Sequence, residues 1–182
     1  TWTNPASLTA HASPAGGNAE VPSLAVNAGG DAVVAWAQSD GVNLRVYFSE
    51  RVAGTWTHPA SIAAAISPST TDAFVPRTAI ATNGDAMIVW YQSDGANLQV
   101  FRSERRSGAW TIPSNLADNM SPNGNDAGVP FVGMSANGDA VIAWRQFDGT
   151  WFNVLLAECR DGTWTIPGTV GDDIGPGGSS AI

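Results

Sequence analysis

The chain has 182 residues, of which 43% are hydrophobic and only 13% are charged, so it has enough apolar material for a folded core. Its net charge of −8 argues against nucleic acid and anionic membrane surfaces as partners, since both require a basic protein surface. No apolar run approaches the roughly 20 residues of a membrane span, and the single cysteine, Cys159, excludes disulfides within the chain and zinc sites built from several thiolates.

A tryptophan recurs every 54 residues along the chain, which predicts a repeat architecture. Aligned without gaps, the windows that start at the first three of these tryptophans agree at 18 of 54 positions. The recurring residues are Trp2, Trp56, Trp110 and Trp164. We expect residues 1–20 to be the fourth strand and loop of a preceding, partial repeat, followed by repeats at 21–74, 75–128 and 129–182, the last with an unfinished C-terminal segment.

The first two strands of each repeat are predicted around a Gly-Asp turn. The first strand follows a Val-Pro pair, and the Asn-Gly of the turn in the later repeats supplies the positive φ values of a primed hairpin. The second strand is apolar on both faces, which is typical of a strand covered on both sides. First strands are expected at 23–27, 77–81 and 131–135, and second strands begin at residues 32, 86 and 140.

The last two strands follow an Asp-Gly pair and a Trp-Thr-x-Pro segment. A two-residue Asp-Gly turn would place the second-strand tryptophans across from Arg45, Gln99 and Asn153. The proline of the fourth strand marks an edge strand. The sequence thus predicts an all-β fold of tandem four-stranded antiparallel meanders, like propeller blades, with three blades plus a partial fourth. Propellers close with about four to eight blades, so no ring is expected to close within this chain.

The order of these motifs resembles a known class of repeat. Trp-Thr-x-Pro, Val-Pro, Gly-Asp-Ala before a hydrophobic pair and Trp, and Gln-Ser-Asp-Gly together resemble the sialidase-like (BNR-type) β-propeller repeats of secreted and surface bacterial proteins. The resemblance covers essentially the whole chain and implies a blade in an extracellular protein. Residues 39–41 and 93–95 lack the spacers and closing aromatic of the sialidase Asp-box, so the resemblance implies no activity.

The tryptophan of each second strand and the glutamine two residues later share a face and could bind sugar rings. Core packing is the interpretation that we favour for a tryptophan in the most apolar strand. Trp151 replaces an asparagine of the other repeats and is the best single candidate for a surface contact. The glycan-binding residues of this alternative are Trp36, Gln38, Trp90, Gln92, Trp144, Gln146 and Trp151.

Carboxylates also recur once per repeat, in turns and on the third strand. Turn aspartates usually bind their own backbone, and no segment has the spacing of a calcium loop. A glycosidase needs two carboxylates on opposite sides of one bond, whereas Glu50, Glu104 and Glu158 come once per blade and indicate an ion pair or hydrogen bond. We therefore predict no catalytic residue, metal ligand or cofactor, and no enzyme. The turn aspartates are Asp31, Asp40, Asp85, Asp94, Asp139 and Asp148.

The repeats favour assembly as the function. We expect no free strand position for the N-terminal strand in the blades of its own chain. We also expect the first and last blades each to expose an apolar face. We expect a non-enzymatic extracellular structural protein that binds other copies of itself blade to blade and forms a fibre, tape or surface array. The alternative is a glycan-binding adhesin or propeller lectin with one equivalent site per blade. The predicted assembly residues are Trp2, Thr3, Pro5, Trp164, Thr165 and Pro167.

Overall fold

The computed structural model describes residues 5–7 and 9–174, and within them the chain forms three four-stranded antiparallel sheets. Each sheet is a meander in which strands adjacent in sequence are paired, as predicted for propeller-like blades, and no sheet closes on another. Blade 1 consists of β1 Ala19–Val26, β2 Ala32–Ser39, β3 Leu44–Val52 and β4 Thr55–Thr57. Blade 2 consists of β5 Ala73–Ile80, β6 Ala86–Ser93, β7 Leu98–Arg106 and β8 Ala109–Thr111. Blade 3 consists of β9 Ala127–Met134, β10 Ala140–Phe147, β11 Phe152–Arg160 and β12 Thr163–Thr165.

Short 3-10 turns at Ile62–Ala64 and Leu116–Asp118 lie in the connections between blades. No helix in the described part of the chain is long and apolar enough to cross a membrane. The architecture is therefore a row of all-β repeats, and the connections between the repeats are loops with single helical turns.

The first strand of each blade begins four residues earlier than predicted and contains the Val-Pro pair. Val21, Val75 and Val129 have φ values of 50°, 48° and 52°, which a β-branched residue rarely adopts. The ladder shifts register at each of these valines. Proline has no N–H to donate and is tolerated at such a bulge. The prediction that these strands start after Val-Pro, at residues 23, 77 and 131, was therefore wrong.

The turn between the first and second strands is longer than a primed hairpin. In blade 2, Ala81 N donates to Asp85 O at 2.8 Å and Gly84 N donates to Ala81 O at 3.1 Å. Of the Asn-Gly pair, only Gly84 has a positive φ, at 88°. The glycine is thus required as expected, but the turn is not of the primed two-residue type.

The Asp-Gly hairpin holds four residues and changes the cross-strand pairs. The Asp40 carboxylate accepts the backbone N–H groups of Val42 and Asn43, each at 2.9 Å, which widens the turn. Trp36 consequently pairs with Tyr47. The prediction that the tryptophans face Arg45, Gln99 and Asn153 was wrong by two positions, because those residues pair with Gln38, Gln92 and Gln146.

The core lies between the blades. Strand β6 of the middle blade is covered on both faces as predicted, whereas one face of β10 in blade 3 is partly exposed. Strand β5 packs across blade 1 and β9 packs across blade 2. One apolar cluster joins Val33, Ala35 and Val46 of blade 1 to Ile88 and Trp90 of blade 2. A second cluster joins the same positions of blade 2 to blade 3. Each blade therefore has one face for the preceding blade and one for the following blade.

Candidate functional site

The tryptophan and glutamine of each second strand form a buried hydrogen-bond network. In blade 2 both Trp90 and Gln92 are fully buried. Trp90 Nε1 donates to Gln92 Oε1 at 3.2 Å, and Gln92 Nε2 donates to Pro68 O at 2.8 Å and to Thr71 O at 3.0 Å. Pro68 and Thr71 belong to the loop that enters the blade. The amide thus satisfies the indole N–H and ties the Ser-Pro loop to the core.

The other two blades repeat this network, which corrects the glycan alternative. Trp36 and Trp144 are 4% and 2% exposed, and Gln38 and Gln146 are fully buried. Their amides donate to the carbonyls of Pro14 and Pro122. A buried ring whose N–H is already satisfied cannot stack on a sugar. The prediction of sugar contacts at Trp36, Gln38, Trp90, Gln92, Trp144 and Gln146 was therefore wrong, and core packing of the tryptophans is confirmed.

The tryptophans of the fourth strands connect neighbouring blades. Trp110 Nε1 donates to Glu50 Oε2 of blade 1 at 3.0 Å, and its ring centroid is 4.7 Å from that of Phe48. Trp164 Nε1 donates to Glu104 Oε2 of blade 2 at 3.3 Å. The third-strand glutamates of blades 1 and 2 therefore each accept a hydrogen bond from the fourth-strand tryptophan of the following blade, which confirms the predicted hydrogen bonding for Glu50 and Glu104.

This geometry also changes the interpretation of the predicted assembly residues. The Trp164 ring is half-buried within the chain, with the Arg102 guanidinium 4.3 Å from its centroid, so it is not free for a second copy. Thr165 and Pro5 are exposed and Pro167 is half-buried. Trp2 and Thr3 lie outside the described residues. Trp56, at the same repeat position in blade 1, is 43% exposed and stacks on His58 at 5.9 Å.

Three further contacts fix how one blade sits on the next. Asn27 Nδ2 donates to Ala81 O at 3.1 Å, and Asn83 Nδ2 donates to Asn137 O at 3.1 Å. Each of these pairs is separated by 54 residues, the length of one repeat. The Ser23 and Thr78 hydroxyls meet at 3.1 Å. The two internal interfaces therefore share one register, and this register could not be inferred from the sequence without knowing which strand faces cover each other.

Charged groups lie at the rim of the interfaces. Glu50 pairs with Arg105 at 3.6 Å, and Arg106 pairs with Glu104 and Asp85, each at 3.3 Å. Arg106 also donates to the buried Cys159 Sγ at 3.3 Å. Burial raises the pKa of the Cys159 thiol, which stays neutral near pH 7. Cys159 is thus a small buried side chain at the interface of blades 2 and 3.

The turn aspartates accept backbone N–H groups, but the prediction that they bind their own turn holds only for Asp40, Asp94 and Asp148. Asp31, Asp85 and Asp139 each accept an N–H from the turn between the third and fourth strands, at 2.9–3.1 Å. A backbone hydrogen bond from Asn43 is the main cause that lowers the pKa of Asp40, and one from Trp151 lowers the pKa of Asp148. Among the described residues, no group of three His, Cys, Asp or Glu side chains could hold a metal ion.

The two ends of the row expose the faces that are covered between blades. On blade 1, Leu24 and Val26 are 62% and 58% exposed, whereas the equivalent residues of blades 2 and 3 are half-buried. On blade 3, Phe131 is 58% exposed. It borders an apolar cleft of about 240 Å³ lined by Val129, Phe131, Ala143, Trp144, Arg145 and Val154. The candidate functional surfaces are therefore the blade 1 face and the blade 3 face.

The chain is similar to solved structures at low sequence identity. No protein-family model and no curated protein matches the chain. The chain is similar to the solved structure of TolB from Acinetobacter baumannii at 17% identity and a TM-score of 0.41, over 80% of this chain and 31% of that one. It is also similar to a protein of unknown function from Dyadobacter fermentans at 11% identity and a TM-score of 0.34, over 82% of this chain and 68% of that one. The chain thus spans about a third of the TolB chain, and the sialidase-like resemblance stays a prediction.

Proposed function

We propose that this protein is a non-enzymatic structural module that assembles blade to blade into a fibre, tape or surface array outside the cell. The observation that carries the proposal is the repeated interface, whose two different halves are exposed on blade 1 and blade 3. Removing such apolar faces from water favours association. Because the two halves differ, each added copy leaves one of each exposed, and the row extends.

Composition supports the same proposal. The chain contains no lysine, and only 13% of its residues are charged. Few long charged side chains therefore need to stay hydrated when copies pack closely. The extracellular setting follows from the resemblance to secreted and surface repeats, and fractionation of the producing cells tests it.

Electron microscopy of the native protein, combined with sedimentation over a range of concentrations, tests the assembly. We expect rows that lengthen with concentration and have a structural repeat of three blades. A chain that stays monomeric at all concentrations would contradict assembly. Discrete rings would contradict the fibre and indicate closure, for which two copies would supply a blade number within the usual range of about four to eight.

Glycan binding is a second candidate function at one residue of the predicted set. Trp151 is 56% exposed in the turn between β10 and β11, and the neighbouring Phe152 is 42% exposed. The Arg145 guanidinium lies 4.7 Å from the Phe152 ring centroid. Exposed aromatic rings offer a flat apolar surface against which a sugar ring can stack.

If this surface binds glycans, the Trp151→Ala variant is expected to lose its signal on a glycan array. The Trp56→Ala variant removes another exposed tryptophan and is expected to keep the signal. An array on which the unmodified protein binds nothing contradicts this second function, and equal signals from both variants would place the binding elsewhere.

A further inference from the structure

We infer that the blade 3 face of one copy binds the blade 1 face of a second copy in the same register that joins blades within the chain. The inference rests on the proposed function and specifies its interface. It assigns Phe131, Arg145 and Glu158 of one copy to contacts with Leu24, Glu20 and Trp56 of the other. The established interfaces between blades 1 and 2 and between blades 2 and 3 supply the register.

The first pair, Trp56 of one copy and Glu158 of the other, would repeat the tryptophan–glutamate contact that is present between blades within the chain. Trp110 reaches Glu50 and Trp164 reaches Glu104, each across 60 residues of sequence. One repeat further along, Glu158 presents the next acceptor and makes a 3.6 Å ion pair with the exposed Arg160. At the other end of the row, Trp56 presents a half-exposed indole. Docking in register brings this indole to Glu158.

The second pair gives the two faces opposite charges at one point. Between blades 2 and 3, the Tyr91 ring of blade 2 packs close to Gly128 of blade 3, since a Cβ added at Gly128 would lie 3.8 Å from that ring. At this point of the interface a large side chain therefore faces a small residue. The repeat positions of Tyr91 and Gly128 are filled by Arg145 on the blade 3 face and by Glu20 on the blade 1 face. Both are exposed. A second copy therefore brings a carboxylate to the Arg145 guanidinium, and this charge complementarity favours a second copy as the occupant.

The third pair is apolar. The Ser23 and Thr78 contact between blades 1 and 2 corresponds, at the free ends, to Phe131 on blade 3 and Leu24 on blade 1. These side chains are 58% and 62% exposed, and each is the most exposed large hydrophobic residue of its own first strand. Docking buries them against each other, and removing this apolar surface from water favours association.

Docking also requires one segment to move. Residues 5–12 of the incoming copy share repeat positions with residues 167–174 of the first copy, whose Ile174 N donates to Val154 O at 3.0 Å. Residues 5–7 and 9–11 are exposed, and the hydrogen bonds of Ser7, Thr9, Ala10 and His11 run within their own segment. In-register docking therefore needs this segment of the incoming copy to leave the position that residues 167–174 occupy, while Gln38 keeps its bonds to Pro14 and Gly17.

Two variants that each block one face test the arrangement in the full chain. Leu24→Asp blocks the blade 1 face and Phe131→Asp blocks the blade 3 face. We expect each variant alone to stay monomeric at concentrations where the unmodified chain assembles, since every contact needs one intact face of each kind. A 1:1 mixture is expected to form a dimer and nothing larger. The control is Val42→Asp in a blade 1 turn, where Val42 is 86% exposed, and it should assemble normally.

The outcomes separate the interface from the proposed function. An unmodified chain that never assembles overturns the proposed function. Oligomers that persist in both blocked variants overturn this interface while leaving self-assembly standing. Dimers of Phe131→Asp alone would show that blade 1 faces bind each other, which also overturns the inference. Circular dichroism confirms that each variant keeps its sheets.

A charge exchange tests the register. We expect Glu20→Arg and Arg145→Glu each to weaken assembly by about threefold to tenfold, because like charges then meet at the interface. A chain that carries both substitutions is expected to regain the affinity of the unmodified chain. Single variants that assemble normally, or a double variant weaker than either, would contradict contact between residues 20 and 145.

Discussion

Replacing Gln92 with methionine is expected to lower the free energy of unfolding by about 3–5 kcal/mol, one of the largest effects available from a single side chain outside the apolar core. Methionine is close to glutamine in size and shape, so little space is lost or gained. It leaves the Trp90 indole N–H and the Pro68 and Thr71 carbonyls without their partner in a buried site. Each unsatisfied buried group costs about 1–3 kcal/mol.

Chemical unfolding followed by circular dichroism measures this loss, and a double-mutant cycle assigns it. Trp90→Phe alone leaves Gln92 Oε1 without its donor, so Trp90→Phe and Gln92→Met should cost less together than the sum of the single variants. Gln38→Met is the matched control in blade 1. There Gly17 is exposed and water can replace the amide at its carbonyl, so a smaller loss is expected. Equal and small losses at both positions would show that the network does not hold the loops.

Much of the fold is predictable from the sequence because its strongest signals are local. The alternation of turn residues and apolar strands depends on neighbours within about ten residues, and the structure confirms four strands per repeat. The second strand, from Ala32 to Ser39, is apolar on both faces and is therefore assigned to the interior correctly. Burial of Trp36, Trp90 and Trp144 follows from the same pattern.

The wrong predictions, of turn length and of where the first strands start, concern positions at which two backbone conformations have similar local preference. Asp-Gly suits a two-residue turn, but the Asp40 carboxylate captures two backbone N–H groups and widens the turn by two residues. Val-Pro disfavours regular pairing, yet a bulge at Val21 allows the strand to continue through it. In each case a side chain or a register shift compensates for what the local pattern forbids.

The candidate interface was beyond sequence reasoning for a different reason. The partner of Trp110 is Glu50, 60 residues away, and the repeat pattern alone does not say which blade face covers which. One signal was available: each fourth-strand tryptophan and each third-strand glutamate recurs once per repeat. That coincidence is compatible with many pairings, and only the stacking of the sheets selects among them.

Replacing Trp110 with alanine is expected to cost about 2–4 kcal/mol, while the same change at Trp56 costs about 1 kcal/mol or less. The two residues occupy the same position in the fourth strand of successive blades. Trp110 packs on Phe48 at 4.7 Å and donates to Glu50, whereas Trp56 is 43% exposed and has no preceding blade in the described part of the chain. The difference between the two variants therefore measures the contact between blades.

Chemical unfolding of both variants gives the two values, and Trp110→Phe separates their causes. Phenylalanine keeps an aromatic ring against Phe48 and removes the N–H, so a loss of about 1 kcal/mol is expected from the hydrogen bond. Equal losses at Trp56 and Trp110 would mean that each tryptophan stabilises only its own blade. The repeated contact with glutamate would then contribute nothing to stacking. The contact proposed between Trp56 of one copy and Glu158 of another has the same geometry. The difference in unfolding free energy between the Trp110 and Trp56 variants therefore indicates how strongly that contact should stabilise binding between copies.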